Sequence, residues 1–132
     1  MSIYSIGQAA AHSGLSTKQI RDYESKGLVH AAQRTENGYR IYKEPDLHAL
    51  LFIAQARKLG FSLEQIRNLL DLWHDHHRAS ADVKQLAEQH IHELETKALQ
   101  LQQMAAVLRE LTQQCHGDDR PECPILKGLE SP

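Results

Sequence analysis

The chain has 132 residues, of which 41% are hydrophobic and 24% are charged, which is ordinary for a soluble protein of one domain or slightly more. Its longest apolar run, residues 49–54, is far too short to span a bilayer, and its N-terminus lacks the features of a secretory signal. We therefore expect a cytoplasmic protein. Residues 1–60 carry eight Lys and Arg against five Asp and Glu, whereas residues 61–132 carry seven against twelve. A basic N-terminal part is compatible with nucleic-acid binding.

Two short helices are predicted at the start of the chain. The first begins after the N-cap Ser5 and stops at Gly14, and the second begins after Ser16 and ends at Gly27. A tight Gly-Leu-Ser turn separates them. These proportions indicate a helix-turn-helix, whose second helix can enter a DNA major groove.

A β-hairpin is predicted next. Asn37 and Gly38 both tolerate the positive φ of a type I′ turn, the strongest short hairpin signal. Arg34 and Arg40 flank this turn and Tyr39 lies beside it, so the tip combines cationic and aromatic groups that suit phosphate contact. A polar hairpin without a binding role remains an alternative on this segment alone.

Two core helices are expected between the hairpin and residue 75. The first opens near Pro45 and closes at Gly60. The second starts at a capping box formed by Ser62 and Gln65, and its apolar stripe extends to Trp73. Nothing in either helix indicates catalysis.

One long helix is predicted over residues 80–114, which contain neither Gly nor Pro. At about 1.5 Å per residue it would be roughly 50 Å long, so its apolar row requires a partner helix, most simply that of a second copy. A monomer that folds the helix back over its own core is the alternative. His90 and His92 are expected to be surface or seam-edge residues of this helix. The apolar row has heptad spacing and consists of Ala87, Ile91, Leu94, Ala98, Leu101, Ala105 and Leu108.

Four segments carry a resemblance to a known family. They are "IGQAAAHSGLSTKQIRDYESKGL", "RTENGYRIY", "FIAQARKLGFSLEQI" and "CHGDDRPECPI". In this order they resemble the MerR family of bacterial transcription regulators, and more closely its copper-efflux (CueR-type) branch. The resemblance covers nearly the whole chain.

The resemblance implies a fold and a way of working. A winged helix-turn-helix is joined to an antiparallel coiled-coil dimer helix, and the dimer binds a palindromic operator between two promoter elements. The metal-bound form distorts the promoter so that RNA polymerase engages both elements. The implied DNA-contact residues are Thr17, Lys18, Arg21, Tyr23, Arg34, Tyr39, Arg40 and Arg57.

The two cysteines of the chain, Cys115 and Cys123, lie in one polar segment near its end. Structural zinc requires four ligands, and only His116 accompanies the two thiols. Two thiolates suit a soft monovalent ion, since Cu(I), Ag(I) and Au(I) accept linear two-coordinate ligation. Pro124 favours the start of a short helix, whose free N–H groups would stabilise the negatively charged complex. We predict Cys115 and Cys123 as the metal ligands.

Two alternatives for metal and thiol chemistry remain open. A disulfide between Cys115 and Cys123 would make the segment a redox switch. His74, His76 and His77 would be able to bind zinc, but a polar hinge between helices is a natural place for solvated histidines, and we favour that interpretation.

Ser80 is informative through the resemblance. Mercury- and zinc-responsive members of the family place a third cysteine at this position, reaching the metal loop of the partner. Ser80 supplies no thiol, which argues for a monovalent ion. We predict that Ser80 influences which metal is bound without being a ligand itself.

These expectations define a mainly α protein with a small β-hairpin wing. We expect a DNA-binding winged helix-turn-helix domain over residues 1–75, a coiled-coil dimerisation helix over 80–114, and a metal-binding loop and tail over 115–132. The predicted function is a homodimeric, non-enzymatic activator of copper (or silver or gold) efflux and detoxification genes. The alternative function is a thiol-based redox-sensing regulator.

Overall fold

A computed structural model describes residues 2–30, 33–118 and 121–130. Within these residues it contains six helices and one antiparallel hairpin, which confirms the predicted mainly α fold with a small β wing. None of the helices in the described residues is long and apolar enough to cross a membrane. The elements are α1 (Ile6–Ser13), α2 (Thr17–Ser25), β1 (Gln33–Arg34), β2 (Arg40–Ile41), α3 (Glu44–Lys58), α4 (Leu63–His74), α5 (Ser80–Gln114) and α6 (Pro124–Glu130).

The starts of α1, α2 and α4 follow the predicted capping signals. The hydroxyl of Ser16 accepts a hydrogen bond from the backbone N–H of Gln19, and the Gln19 side chain accepts one from the backbone N–H of Ser16. Such a capping box satisfies two donors that the first turn leaves without partners. The same box forms at Ser5 and at Ser62. Gly14 ends α1 in the left-handed conformation at φ 80°, as predicted.

The hydrophobic core of the N-terminal part is built from α1, α2, α3, α4 and the segment after the wing. Trp73 was predicted within the buried stripe of α4, but it is partly exposed and stacks on Phe52 with ring centroids 4.8 Å apart. Its size explains this position, since a large ring at the end of a helix is rarely covered completely. The most completely buried large side chains are Ile20, Tyr42, Leu47, Leu50, Ile53 and Ile66.

The turn of the wing differs from the type I′ prediction. Gly38 has a φ of 82°, and no residue other than glycine has a positive φ in the described part of the chain. The N–H of Gly38 donates to the carbonyl of Thr35, and the N–H of Thr35 donates to the carbonyl of Tyr39. The loop therefore has three residues, with Gly38 in the left-handed position that such loops require. The predicted Asn-Gly pair is used, but Gly38 alone adopts the left-handed conformation.

The chain divides into two compact units, residues 1–83 and 84–132. Helix α5 is continuous over 35 residues, with the predicted bounds. Large apolar side chains of α5, including Ile91, Leu94 and Leu101, are exposed in the single chain. His90 is buried rather than at the surface, with its Nδ1 3.8 Å from a carboxylate oxygen of Glu93; the seam-edge alternative stays a prediction.

Helix α6 packs closely against the end of α5. Pro124 is its first residue, as predicted. A Cβ added to Gly128 would lie 2.6 Å from Cδ2 of Leu111, a distance that real side chains do not tolerate. Glycine at this position therefore allows the short terminal helix to approach the long one.

Candidate functional site

Helix α2 presents two cations on its exposed face. Lys18 and Arg21 are exposed, and neither has an ion-pair or hydrogen-bond partner within residues 2–30, 33–118 and 121–130. Thr17, at the first position of the helix, is partly buried. Tyr23 was predicted on the same binding face, but it is only 5% exposed and belongs to the hydrophobic core. The ring of Tyr23 therefore packs in the core, and its predicted DNA contact stays a prediction.

The tip of the wing carries exposed groups. The side chain of Tyr39 is prominent, with 72% of the residue exposed. The guanidinium of Arg34 donates to the carbonyl of Gly38 at 3.0 Å, across the loop. This bond orients Arg34 while leaving it at the surface.

Arg40 differs from the expected free cation of the wing. Its guanidinium is paired with the carboxylate of Glu24, a side chain only 7% exposed. The other carboxylate oxygen of Glu24 accepts a hydrogen bond from the Tyr42 hydroxyl at 2.5 Å. Burial, followed by this hydrogen bond, raises the pKa of Tyr42 to about 12. The charge of Arg40 is thus balanced inside the protein.

Arg57 lies in the last turn of α3. Its guanidinium donates to the carbonyl of Phe61 at 3.1 Å, across the end of the helix. The side chain remains exposed, so it closes the α3–α4 turn and also presents a positive charge.

The two thiols meet between α5 and α6. Cys115 directly follows α5 and Cys123 directly precedes α6. Both are free and partly buried. The side chain of Cys115 is close enough to the sulfur of Cys123 to help lower its pKa, so the two thiols are neighbours although seven residues separate them.

Backbone donors surround the sulfur of Cys123. The N–H groups of Leu126 and Ile125, in the first turn of α6, and the thiol of Cys115 lower the pKa of Cys123 from its ordinary 9.0, although burial opposes them. Hydrogen bonds to the charged form favour it. Cys123 therefore loses its proton more readily than an ordinary cysteine.

The donor set fits a soft ion of low coordination number. No group of three or more His, Cys, Asp or Glu side chains is assembled for a metal in the described parts of the chain. That statement includes His74, the last residue of α4, and His76 and His77 of the α4–α5 connection. Two adjacent sulfurs without a third or fourth ligand do not form a closed zinc site, whereas Cu(I), Ag(I) and Au(I) are satisfied by two.

The lowered pKa of Cys123 predicts its reactivity with iodoacetamide in the metal-free, reduced protein. The thiolate is the reacting form, so the pH at which alkylation of Cys123 reaches half its maximal rate should lie below the ordinary 9.0. Peptide mapping by mass spectrometry across a pH series measures this. A half-maximal pH at or above the ordinary value would show that the Leu126 and Ile125 donors do not stabilise the thiolate.

The folded elements define a DNA-binding regulator of the winged helix-turn-helix class. The family model described as MerR HTH family regulatory protein matches residues 4–73, and the model described as MerR, DNA binding, matches residues 47–111. The chain belongs to the MerR family of transcription regulators, as its sequence motifs predicted.

Three similar proteins extend this assignment. Heavy metal-dependent transcription regulator 2 of Rhizobium meliloti (strain 1021) is 53% identical, over 94% of this chain and 84% of its own. The transcriptional regulator CueR of Salmonella typhimurium is 43% identical, over 94% of this chain and 90% of its own. The crystal structure of PbrR691 from Ralstonia metallidurans CH34 in complex with lead(II) has a TM-score of 0.82 and 32% identity, and the match covers 96% of this chain and 98% of that one. All three are named as transcription regulators rather than enzymes.

Proposed function

We propose that this protein is a homodimeric, cytoplasmic sensor of a monovalent soft metal ion, Cu(I), Ag(I) or Au(I), that activates metal efflux and detoxification genes. The observation that carries the proposal is the pair of free, neighbouring thiols, Cys115 after α5 and Cys123 before α6. The heavy-metal and CueR relatives support a metal signal. In this proposal residues 1–75 bind DNA, 80–114 form the dimer and 115–132 sense the ion.

The residues around the thiols have separate tasks in this proposal. Cys115 and Cys123 lose their protons and hold the ion as thiolates, which leaves a complex of net negative charge. The N–H groups of Ile125 and Leu126 stabilise that charge. Ser80, the first residue of α5, offers a hydroxyl where a third thiol would recruit a divalent ion.

Ligation would join the end of α5 to the start of α6. Since Gly128 packs against Leu111, a tether at Cys115 and Cys123 fixes the position of α6 along α5. The ion changes transcription only if it binds the activating conformer more tightly than the repressing one. The proposed output is distortion of the promoter so that RNA polymerase engages both promoter elements, rather than recruitment of the protein to DNA.

Promoter DNA is the proposed partner of the N-terminal unit. Lys18 and Arg21 of α2 would contact DNA together with Arg34 and Tyr39 of the wing and Arg57 of α3. All five side chains are at the surface. Exposed cations on neighbouring elements match the repeated negative charge of a DNA backbone.

Arg21→Ala should weaken operator binding and flatten its salt dependence. Each lost phosphate contact lowers the slope of log K against log salt by about one unit, so loss of Arg21 from both chains of the proposed homodimer should lower it by about two. Fluorescence anisotropy at several salt concentrations measures the slope. Arg109→Ala, which removes an exposed arginine from α5, should leave both affinity and slope unchanged, and an Arg21→Ala variant that behaves in the same way would remove Arg21 from the interface.

A thiol redox sensor is the second candidate function. The contact between Cys115 and Cys123 also favours disulfide formation, since a thiolate beside a thiol needs only an oxidant to close the bond. The scaffold and the DNA partner would be the same, and the signal would differ.

Transcription in vitro under anaerobic, fully reducing conditions tests the proposal. Wild-type protein on its target promoter should activate when Cu(I) is added and remain inactive without it. Activation by an oxidant alone, with no dependence on copper, would support the redox sensor and reject the metal sensor. Titrations with Ag(I) and Au(I) then rank the three ions by the concentration needed for half-activation.

A further inference from the structure

Glu24 occupies an unusual position for an acidic residue in a DNA-binding element. It lies in the last turn of α2, three residues after the exposed Arg21, yet its side chain is almost completely covered. Both of its carboxylate oxygens are used, one by the guanidinium of Arg40 in β2 and the other by the hydroxyl of Tyr42. One side chain thus joins the second helix of the helix-turn-helix to the wing.

The wing depends on such attachments because it is small. Each strand has two residues, and an isolated two-stranded hairpin is at best marginally stable in water. Two backbone hydrogen bonds attach the end of the wing to the N-terminal segment. The N–H groups of Tyr4 and Tyr42 each donate to the other's carbonyl at 2.8 Å. Glu24 supplies the connection to α2.

We propose that Glu24 is a positioning residue for DNA recognition, which holds the wing against α2 through Arg40 and Tyr42 so that the exposed cations of both elements meet DNA at a fixed spacing. This inference rests on the proposed DNA-binding function. Arg40 then acts within the protein instead of at a phosphate. The exposed contacts of the wing are left to Arg34 and Tyr39.

For loss of the Glu24 charge, the proposal predicts a change in operator affinity opposite to the one that simple electrostatics predicts. Removal of an acidic group near DNA normally strengthens binding, because it removes repulsion from the phosphates. Glu24→Gln should instead weaken operator binding by about tenfold, the scale of a lost charge-assisted hydrogen bond. The slope of log K against log salt should stay unchanged, since no cation that contacts phosphate has been removed.

Matched variants separate positioning from charge. Glu36→Gln removes an exposed acid from the loop of the same wing and should bind at least as tightly as wild type. Arg40→Gln should weaken binding with an unchanged slope, and the Glu24→Gln/Arg40→Gln double variant should be no weaker than the poorer single variant, because both remove one contact. A slope reduced by about two in Arg40→Gln, one lost phosphate contact for each chain of the proposed homodimer, with additive losses, would place Arg40 at a phosphate and overturn the proposal.

The experiment uses the full chain and a duplex that wild-type protein selects from a random-sequence library, with an unselected duplex as the non-specific probe. Glu24→Gln should lose affinity for the selected duplex and keep its affinity for the unselected one. Equal losses on both duplexes, accompanied by a lower folded fraction in thermal unfolding, would reduce Glu24 to a stability role and overturn the proposal.

Tyr42→Phe, which removes only the hydroxyl, should show the same selective loss to a smaller extent if Glu24→Gln does not fold. Failure of wild-type protein to enrich any duplex would reject the DNA-binding function itself, whereas enrichment with undiminished affinity in Glu24→Gln would reject this inference alone.

Discussion

Replacing either Cys115 or Cys123 with Ser should abolish tight binding of Cu(I). Each substitution removes half of a two-coordinate donor set, and a hydroxyl oxygen is a poor ligand for a soft ion. The loss should exceed about 100-fold, the upper end of what is lost when only an outer-shell group is removed. Competition with a chelator of known Cu(I) affinity, under anaerobic conditions, measures it.

The same variants should keep their affinity for operator DNA, since the proposed contact residues lie in the other compact unit. We expect a protein that occupies its promoter and does not activate when copper is added. His116→Ala is the matched control, because it alters the exposed residue next to Cys115 and leaves both thiols in place. A Cys123→Ser variant that binds Cu(I) as tightly as wild type would contradict the two-thiolate site.

Loss of activation in the cysteine variants alone does not separate metal from redox sensing, because a disulfide also needs both sulfurs. Transcription by fully reduced wild-type protein under anaerobic conditions does separate them. A metal sensor activates when Cu(I) is added, whereas a redox sensor stays inactive with Cu(I) and activates only with an oxidant. Mass spectrometry of oxidised wild-type protein reports the competing disulfide directly.

Local signals were sufficient to predict most helix bounds. The start of α2 depends on a hydroxyl at Ser16 and an amide at Gln19, three residues apart, and the end of α1 depends on one left-handed glycine, Gly14. Such interactions lie within a few positions of each other, so their spacing can be read in the sequence. The type I′ prediction for the wing turn was wrong, because Asn37-Gly38 suits two loop lengths and the hydrogen bonds of Thr35 select the longer one.

Contacts between elements were not readable in the same way. Glu24 lies 16 residues from Arg40 and 18 from Tyr42, and no periodicity links positions in a helix to positions in a hairpin. The sequence therefore did not show that Arg40 is paired with Glu24. It also did not show that Tyr23 belongs to the core. For the thiols, the chemistry was predictable from residue type, whereas the proximity of Cys115 to Cys123 and the backbone donors around Cys123 required the structure.

The sequence also leaves open whether a second copy of the chain covers the apolar row of α5. Charged substitutions within the row test this. Leu94 and Leu101 are 41% and 63% exposed in the single chain, so glutamate at both positions costs little in a monomer. In a paired coiled coil the two substitutions place four unpaired charges in the interface, at a cost of several kcal/mol in total. Leu94→Glu/Leu101→Glu should therefore be monomeric at concentrations where wild type sediments as a dimer.

A matched pair of charges outside the row provides the control for this dimer test. Leu99 is 54% exposed and, with Gln103, lies on a different face of α5 from Leu94 and Leu101, because successive residues turn by about 100° around a helix. Leu99→Glu/Gln103→Glu adds the same number of charges and should leave the dimer intact in sedimentation velocity. Because the proposed palindromic operator is contacted by two DNA-binding units, the Leu94→Glu/Leu101→Glu variant should also lose most of its operator affinity, while each DNA-binding unit stays folded. An undiminished dimer in that variant would assign the row to contacts within one chain and leave the dimer interface to another surface.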